Sequence, residues 1–154
     1  MNSLNEVKFI IEQIETTFDG DSWHGPSLMK TLEGVDLEQA NMRPLVGRHT
    51  IWENLEHIIF WIDPVIEALK GELMPDLQTV KDWPETGETK EEWMKTIQKL
   101  RNRINMLTGE VLKLDPKQLD STVPGAQYKY RKMLHGVVHH NLYHAGQIAI
   151  LKKK

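Results

Sequence analysis

Four histidines lie within ten residues near the end of the chain, and their spacing suits a metal chelate. They are His135, His139, His140 and His144. In a helix, residues four apart share a face, so the segment offers the pairs His135/His139 and His140/His144. Each pair could instead be two separate histidines, one buried and hydrogen-bonded and the other solvated. A third ligand elsewhere in the chain would distinguish a chelate from a chance spacing.

The apolar residues around these histidines predict which pair faces the core. Side chains advance by about 100° per residue in a helix, and the periodicity predicts a helix over 130–151. His140 and His144 then lie at the margin of the apolar face, whereas His135 and His139 face outward or toward a partner chain. The residues expected to point inward are Met133, Leu134, Val137, Ala145, Ile148 and Leu151.

His57 is the histidine that could complete such a site. It lies on a predicted helix that begins after Thr50, where Thr50 and Glu53 form a capping-box pattern ahead of an apolar run. A lone histidine at a helix margin is more simply a partly buried, hydrogen-bonded residue. Taken with His140 and His144, however, His57 suggests a site between two facing helices, which is a common place for metals in bundles.

Three imidazoles with an open position resemble a catalytic metal site more than a structural one. Structural zinc usually has four protein ligands, often thiolates, and this chain has no cysteine. Imidazole suits zinc, nickel or iron, so the sequence predicts a divalent ion without naming it. The ligands must be neutral, so binding should weaken below the ordinary histidine pKa of about 6.5. His140 and His144 lack the adjacent glutamate of a zinc-protease helix, which argues against peptide hydrolysis by that route.

Five further residues are candidates to orient a ligand or to line a pocket. Glu53 lies one turn before His57 and could orient it or act as a base, although its capping role is sufficient to explain it. Gln147 lies near the ligand face of its helix. The other three are candidates for pocket walls: Trp61, Trp23 and His24.

Helical periodicity also accounts for the rest of the regular structure. The first helix ends near Gly20. Two short helices follow, one beginning at Pro26 and the other capped by Asp36. A long helix begins after a second capping-box pattern, Thr89 and Glu92. The stripe expected to bury the first helix is Leu4, Val7, Ile11, Ile14 and Phe18.

These elements predict an all-α four-helix bundle with short connecting helices, forming a single domain over residues 1–154. No segment shows strand-like alternation, and the linker over 72–89 shows no periodicity. The net charge of -3 argues against nucleic-acid binding. No segment resembles a signal peptide or membrane span, so we expect a cytoplasmic protein with a small-molecule substrate. Gly136 and Gly146, on the outward histidine face, hint at a homodimer contact.

The pattern Trp52-x-x-Leu55-x-His57, followed by His140-x-x-x-His144-x-Gly146-Gln147-Ile148, resembles the DinB superfamily. This group includes the YfiT-like and bacillithiol-transferase-like metal proteins, and the resemblance covers nearly the whole chain. It implies an up-down-down-up bundle, often dimeric, with the metal on the three histidines of the pattern. The family often has Arg before the Gly-Gln pair; here Ala145 stands there, and a positive charge near the site is missing.

The resemblance implies a metal-dependent enzyme that transfers a low-molecular-weight thiol to an electrophilic substrate, or a metal-assisted hydrolase with the same ligands. Because the chain lacks cysteine, such a thiol must be a diffusible cosubstrate. A competing interpretation is a non-catalytic, stress-related metal-binding or scaffold protein, in which the metal only ties two helices together. A third has no metal at all and three ordinary core histidines.

Overall fold

The computed structural model describes residues 3–76 and 79–153. Within these ranges the regular structure is entirely helical, which confirms the predicted all-α fold. A short 3₁₀ helix, Pro116–Asp120, precedes the last long helix. The α-helices are α1 Ser3–Asp19, α2 Leu28–Leu32, α3 Leu37–Asn41, α4 Ile51–Leu69, α5 Lys90–Lys113 and α6 Tyr130–Lys152. None of these helices is both long and apolar enough to cross a membrane.

The four long helices form a bundle in which α4 packs against α5 and α6, and α1 packs against the same two helices. The helices α1 and α4 therefore occupy opposite corners. Helices α4 and α5 run parallel, because Glu56 pairs with Lys99 and, farther along both helices, Asp63 pairs with Arg103. A loop long enough to return to the starting end of the bundle is required between two parallel helices, and the linker between α4 and α5 provides it.

The remaining directions follow from contacts to α6. The hydroxyl of Tyr130, at the start of α6, donates to the carbonyl of Ala68 near the end of α4. These two helices are therefore antiparallel. Helix α1 starts beside the start of α6, where Glu6 pairs with Arg131 and His135. The order is up-down-down-up.

Both capping boxes are present. At the start of α4, the Glu53 amide donates to the Thr50 hydroxyl oxygen at 3.1 Å, and the Thr50 amide donates to the Glu53 carboxylate at 2.7 Å. Thr89 and Glu92 make the same reciprocal pair at the start of α5. These bonds satisfy amides that have no partner within a helix's first turn, which is why both boundaries could be predicted from sequence.

Two details of the sequence prediction are wrong. On α1, Ile10 is fully buried whereas Leu4 is 52% exposed, so the buried face is centred on Ile10, and Ile11 packs against the core only at its margin. Ile10 and Ile11 are equally apolar, so only the packing of α1 against α5 and α6 determines which of them is fully buried. The short helix α2 is capped by Ser27, whose side chain accepts from the Lys30 amide, so Pro26 lies outside the helix.

Contacts between α4 and α5 fix the rotation of α4 about its axis. The Trp52 indole donates to the Thr96 hydroxyl at 3.0 Å, and that hydroxyl donates to Glu56 at 2.7 Å. All three side chains are buried. Because Trp52 and Glu56 both contact α5, the next position along α4, His57, faces α6.

Candidate metal centre

Three histidines from two helices meet in the interior of the bundle. His57 on α4 lies opposite His140 and His144 on α6, and a ring nitrogen of each lies within 4.8 Å of the others. The Nε2 atoms of His57 and His140 are 3.1 Å apart. His57 and His144 are 6% and 3% exposed, and His140 is half-buried. The structure thus brings together the three histidines selected by helical spacing.

A bond to the linker sets the tautomer of His57. Its Nδ1 lies 2.6 Å from the backbone carbonyl of Asp82. A carbonyl oxygen can only accept, so Nδ1 carries the hydrogen of the neutral ring and Nε2 keeps its lone pair. The Asp82 carboxylate accepts from the indole of Trp61 at 3.1 Å, which ties the linker to α4. Asp82 thus orients a candidate ligand in the manner typical of metal-binding histidines.

Asn54 orients His144 in the same way. The Asn54 amide nitrogen donates to the carbonyl of Thr50 at 2.8 Å. Its oxygen therefore faces Nδ1 of His144, at 2.8 Å, and accepts the hydrogen there. Nε2 of His144 is left unprotonated. The residue that caps α4 thus determines, through Asn54, which nitrogen of a histidine on α6 is available.

The ring of His140 is the least constrained of the three, because no hydrogen bond from the described part of the chain fixes its tautomer at Nδ1. Its Nε2 faces the Nε2 lone pair of His57, while its buried Nδ1 has no hydrogen-bond partner among the described residues. In the absence of an ion, His140 Nε2 can carry a hydrogen and donate it to the Nε2 lone pair of His57. A divalent cation would use the lone pairs of all three rings, and three imidazole nitrogens at this spacing match the donor set of zinc, nickel or iron. The residues therefore fit such an ion.

The same burial keeps the three rings neutral. Burial, together with the smaller effect of the neighbouring imidazoles, lowers the pKa of His140 to about 4 and that of His144 to about 3. Burial also lowers the pKa of His57, against the opposing effect of the Asp82 hydrogen bond and charge. Neutral imidazole is the form that binds metal, so the site is in its ligating state at neutral pH.

Trp83 of the linker covers one side of the group. Its indole stacks on His57 with ring centroids 4.0 Å apart, and on its other face His49 stacks at 3.4 Å. The linker therefore contributes both a hydrogen-bond acceptor, Asp82, and an aromatic cover to the site. Sequence analysis missed both residues, and the available signal was a tryptophan beside an acid in a linker without helical periodicity.

Glu53 contacts residues around the three-histidine group rather than the group itself. It closes the capping box of α4, and its carboxylate also pairs with Arg43 and lies 3.4 Å from His49. Burial acts to raise the pKa of Glu53, but hydrogen bonds from Thr50 and Arg43 and the arginine charge lower it overall. Glu53 thus supports His49, which stacks on Trp83.

The remaining predicted residues divide between the site and the surface. Trp61 contacts Asp82 and lines a cavity beside His140. Gln147 lines a second cavity, of about 290 Å³, together with His49. The expectation that Trp23 walls a pocket is wrong, because its side chain is 101% exposed on the loop before α2, and His24 beside it is exposed as well.

The fold and the site together define a helical bundle with a buried group of three histidines. The chain matches the model of the DinB superfamily over residues 22–148, most of its length and all three histidines. It belongs to the DinB superfamily, which includes metal-dependent enzymes. No curated protein and no solved structure matches the chain.

Proposed function

We propose that this protein is a metal-dependent enzyme in which His57, His140 and His144 hold a divalent zinc, nickel or iron ion. One observation carries the proposal: three imidazoles from two helices meet, and hydrogen bonds at Nδ1 leave the Nε2 atoms of His57 and His144 unprotonated. Three protein ligands leave a position open for a reactant, which is typical of catalytic sites.

The reaction we propose is transfer of a low-molecular-weight thiol to an electrophilic substrate. A divalent ion bound by the three histidines would supply the Lewis acidity that favours the deprotonated thiol near neutral pH. The chain has no cysteine, so the thiol is a diffusible cosubstrate. Asp82 and Asn54 hold two of the rings in their ligating orientation, and Trp83 excludes water from one face of His57.

Metal-assisted hydrolysis would use the same three residues, but it also benefits from a general base for the attacking water. Among the described residues, the carboxylate that approaches the three histidines is that of Asp82, which is 3.7 Å from Nδ1 of His57 and accepts a hydrogen bond from Trp61. That nitrogen is the one turned away from the other histidines. We therefore rank thiol transfer ahead of hydrolysis.

Metal content and turnover test the proposal together. Protein purified without a histidine tag should contain about one divalent ion per chain and should accelerate the reaction of cysteine, glutathione or bacillithiol with an electrophilic acceptor. His57→Ala should lose most of the ion and the turnover. His139→Ala, an exposed histidine on α6, is the matched control and should retain both.

Three results would contradict the proposal. If the protein takes up no metal on titration, the histidines are ordinary core residues. If chelation sharply lowers the melting temperature and no thiol or acceptor is turned over, the ion only ties α4 to α6 in a non-catalytic protein. Equal turnover by wild type and His57→Ala would place the chemistry elsewhere.

A further inference from the structure

A cavity of about 320 Å³ opens beside the three-histidine group. It lies between α4 and α6, and one residue of the linker and one of the loop before α6 also line it. His140 forms part of its wall, so a molecule held there would lie next to the proposed ion. The other lining residues are Trp61, Val65, Met74, Tyr128, Lys132, Met133, Gly136 and Val137.

The interior of this cavity is apolar. Trp61 and Val65 contribute from α4, Met133 and Val137 from α6, and Met74 from the linker. Side chains of this kind retain an apolar molecule by removing its surface from water. Methionine also adapts its shape to a guest more readily than branched residues do.

Gly136 leaves space in the wall of the cavity. It lies in the interior of α6, where glycine weakens a helix relative to alanine. A Cβ atom added at this position would meet no atom within 4 Å. The helix at this point therefore carries its least stabilising residue next to open volume, and any side chain here would take up part of that volume.

Two hydrogen-bond donors accompany the apolar wall. Lys132 is exposed, and no carboxylate of the described residues pairs with it. The partly buried Tyr128 lies four positions before it, in the loop that precedes α6. An ammonium group and a phenolic hydroxyl beside an apolar surface suit a carboxylate at one end of an apolar molecule.

We propose that this cavity binds an apolar small molecule bearing a carboxylate, with its apolar body against Trp61 and Met133 and its carboxylate at Lys132. Gly136 is the residue that determines how large that body can be. The identification of this molecule as the electrophilic substrate rests on the proposed function, whereas its binding does not. The site thus favours an amphiphilic acid over a sugar or a nucleotide.

Calorimetric titration with straight-chain carboxylates from butanoate to octanoate tests the proposal on the full chain, as purified and after chelation. Affinity should rise roughly threefold to fourfold per added methylene group, as expected for burial of each group. Gly136→Leu should weaken octanoate binding at least tenfold. Gly146→Leu is the matched control: it lies on the same helix, its added Cβ also meets no atom within 4 Å, and it does not line the cavity.

A separate experiment tests the role of the Lys132 ammonium group. Lys132→Gln should weaken octanoate severalfold and leave 1-octanol unchanged, whereas Lys153→Gln should alter neither. Circular dichroism and melting should show that both leucine variants remain folded, since each replaces a helical glycine with a better helix former. Affinity independent of chain length, or equal octanoate binding by Gly136→Leu and Gly146→Leu, would overturn the proposal. Octanoate binding by both the wild type and His57→Ala, with no turnover of any thiol and acceptor by the wild type, would refute the proposed function alone.

Discussion

At the scale of single residues, the site depends on which ring nitrogen carries a hydrogen. Asp82 and Asn54 each present an oxygen to Nδ1, and so each leaves Nε2 free. Neither oxygen can donate, because one belongs to a backbone carbonyl and the other to an amide whose nitrogen is already bonded to Thr50. The two partners therefore fix the tautomers before any ion binds.

The burial of these rings predicts a pH-dependent stability for the metal-free protein. Unfolded histidines bind protons near pH 6.5, whereas the pKa is lowered to about 4 for His140 and about 3 for His144 in the folded state. Below pH 6.5 the unfolded state binds more protons, so the free energy of unfolding falls as pH drops. Above pH 6.5 both states are neutral and this contribution is constant.

We expect the free energy of unfolding of chelated protein to fall by on the order of 4 kcal/mol between pH 7 and pH 5, about half of it from each ring. Urea denaturation at several pH values measures it. His140→Gln should make the dependence shallower, because one titrating group is removed, whereas the exposed His139→Gln should leave it unchanged. Identical urea midpoints at pH 7 and pH 5 would show that the rings are not buried as neutral groups.

At the scale of elements, the start of α4 joins helix capping to the site. Thr50 caps the helix with its hydroxyl, while its carbonyl holds the amide of Asn54. Asn54 in turn accepts from His144 on the opposite helix. The cap of α5 has the same geometry at Thr89, but among the described residues no member of its first turn hydrogen-bonds to the three histidines.

The two capping boxes therefore provide a matched pair of variants. Thr50→Ala and Thr89→Ala should each lower the free energy of unfolding by about 1 kcal/mol, measured by urea denaturation of the chelated protein. Only Thr50→Ala should also weaken zinc binding, by roughly tenfold in competition with a chromophoric chelator, because a frayed first turn releases Asn54. Equal zinc affinity in the two variants would show that the cap of α4 does not contribute to zinc binding.

At the scale of the whole molecule, Trp83 joins parts of the chain that lie far apart in sequence. It is stacked between His49, which precedes α4, and His57 within α4, and it lies 5.9 Å from His144 on α6. The described residues of the linker that carries it form no helix or strand. Its position over the site therefore depends on the stacked rings and on the bonds made by Asp82.

Removing the indole should loosen the linker without unfolding the bundle. Trp83→Ala should increase amide hydrogen exchange over residues 79–89 and weaken zinc binding about tenfold, because His57 loses its stacked neighbour. Trp23→Ala is the matched control, since that side chain is fully exposed, and it should change neither quantity. Unchanged exchange in Trp83→Ala would show that Asp82 alone holds the linker.

Much of this architecture could be predicted from local sequence patterns. Thr50 and Thr89 mark helix starts because their side chains satisfy amides three residues away. The phase of α6 separates an inward pair, His140 and His144, from the outward His139, because helical geometry requires only neighbouring residues. Local patterns fail where two adjacent residues are equally apolar, and the choice of Ile10 on α1 is the clearest case.

The sequence by itself determined the long helices, the capping boxes of α4 and α5, and the three histidines that face the interior, because each of these depends on residues within a turn or two of one another. Only the tertiary structure decided how those histidines are oriented and what surrounds them. The Asp82 carbonyl is 25 positions from His57, and Asn54 is 90 positions from His144. The cavity beside Gly136 likewise has walls from α4, α6 and the linker. Contacts between such distant segments leave no periodic signal in the sequence, because they arise only when the packed helices bring the linker back to α4.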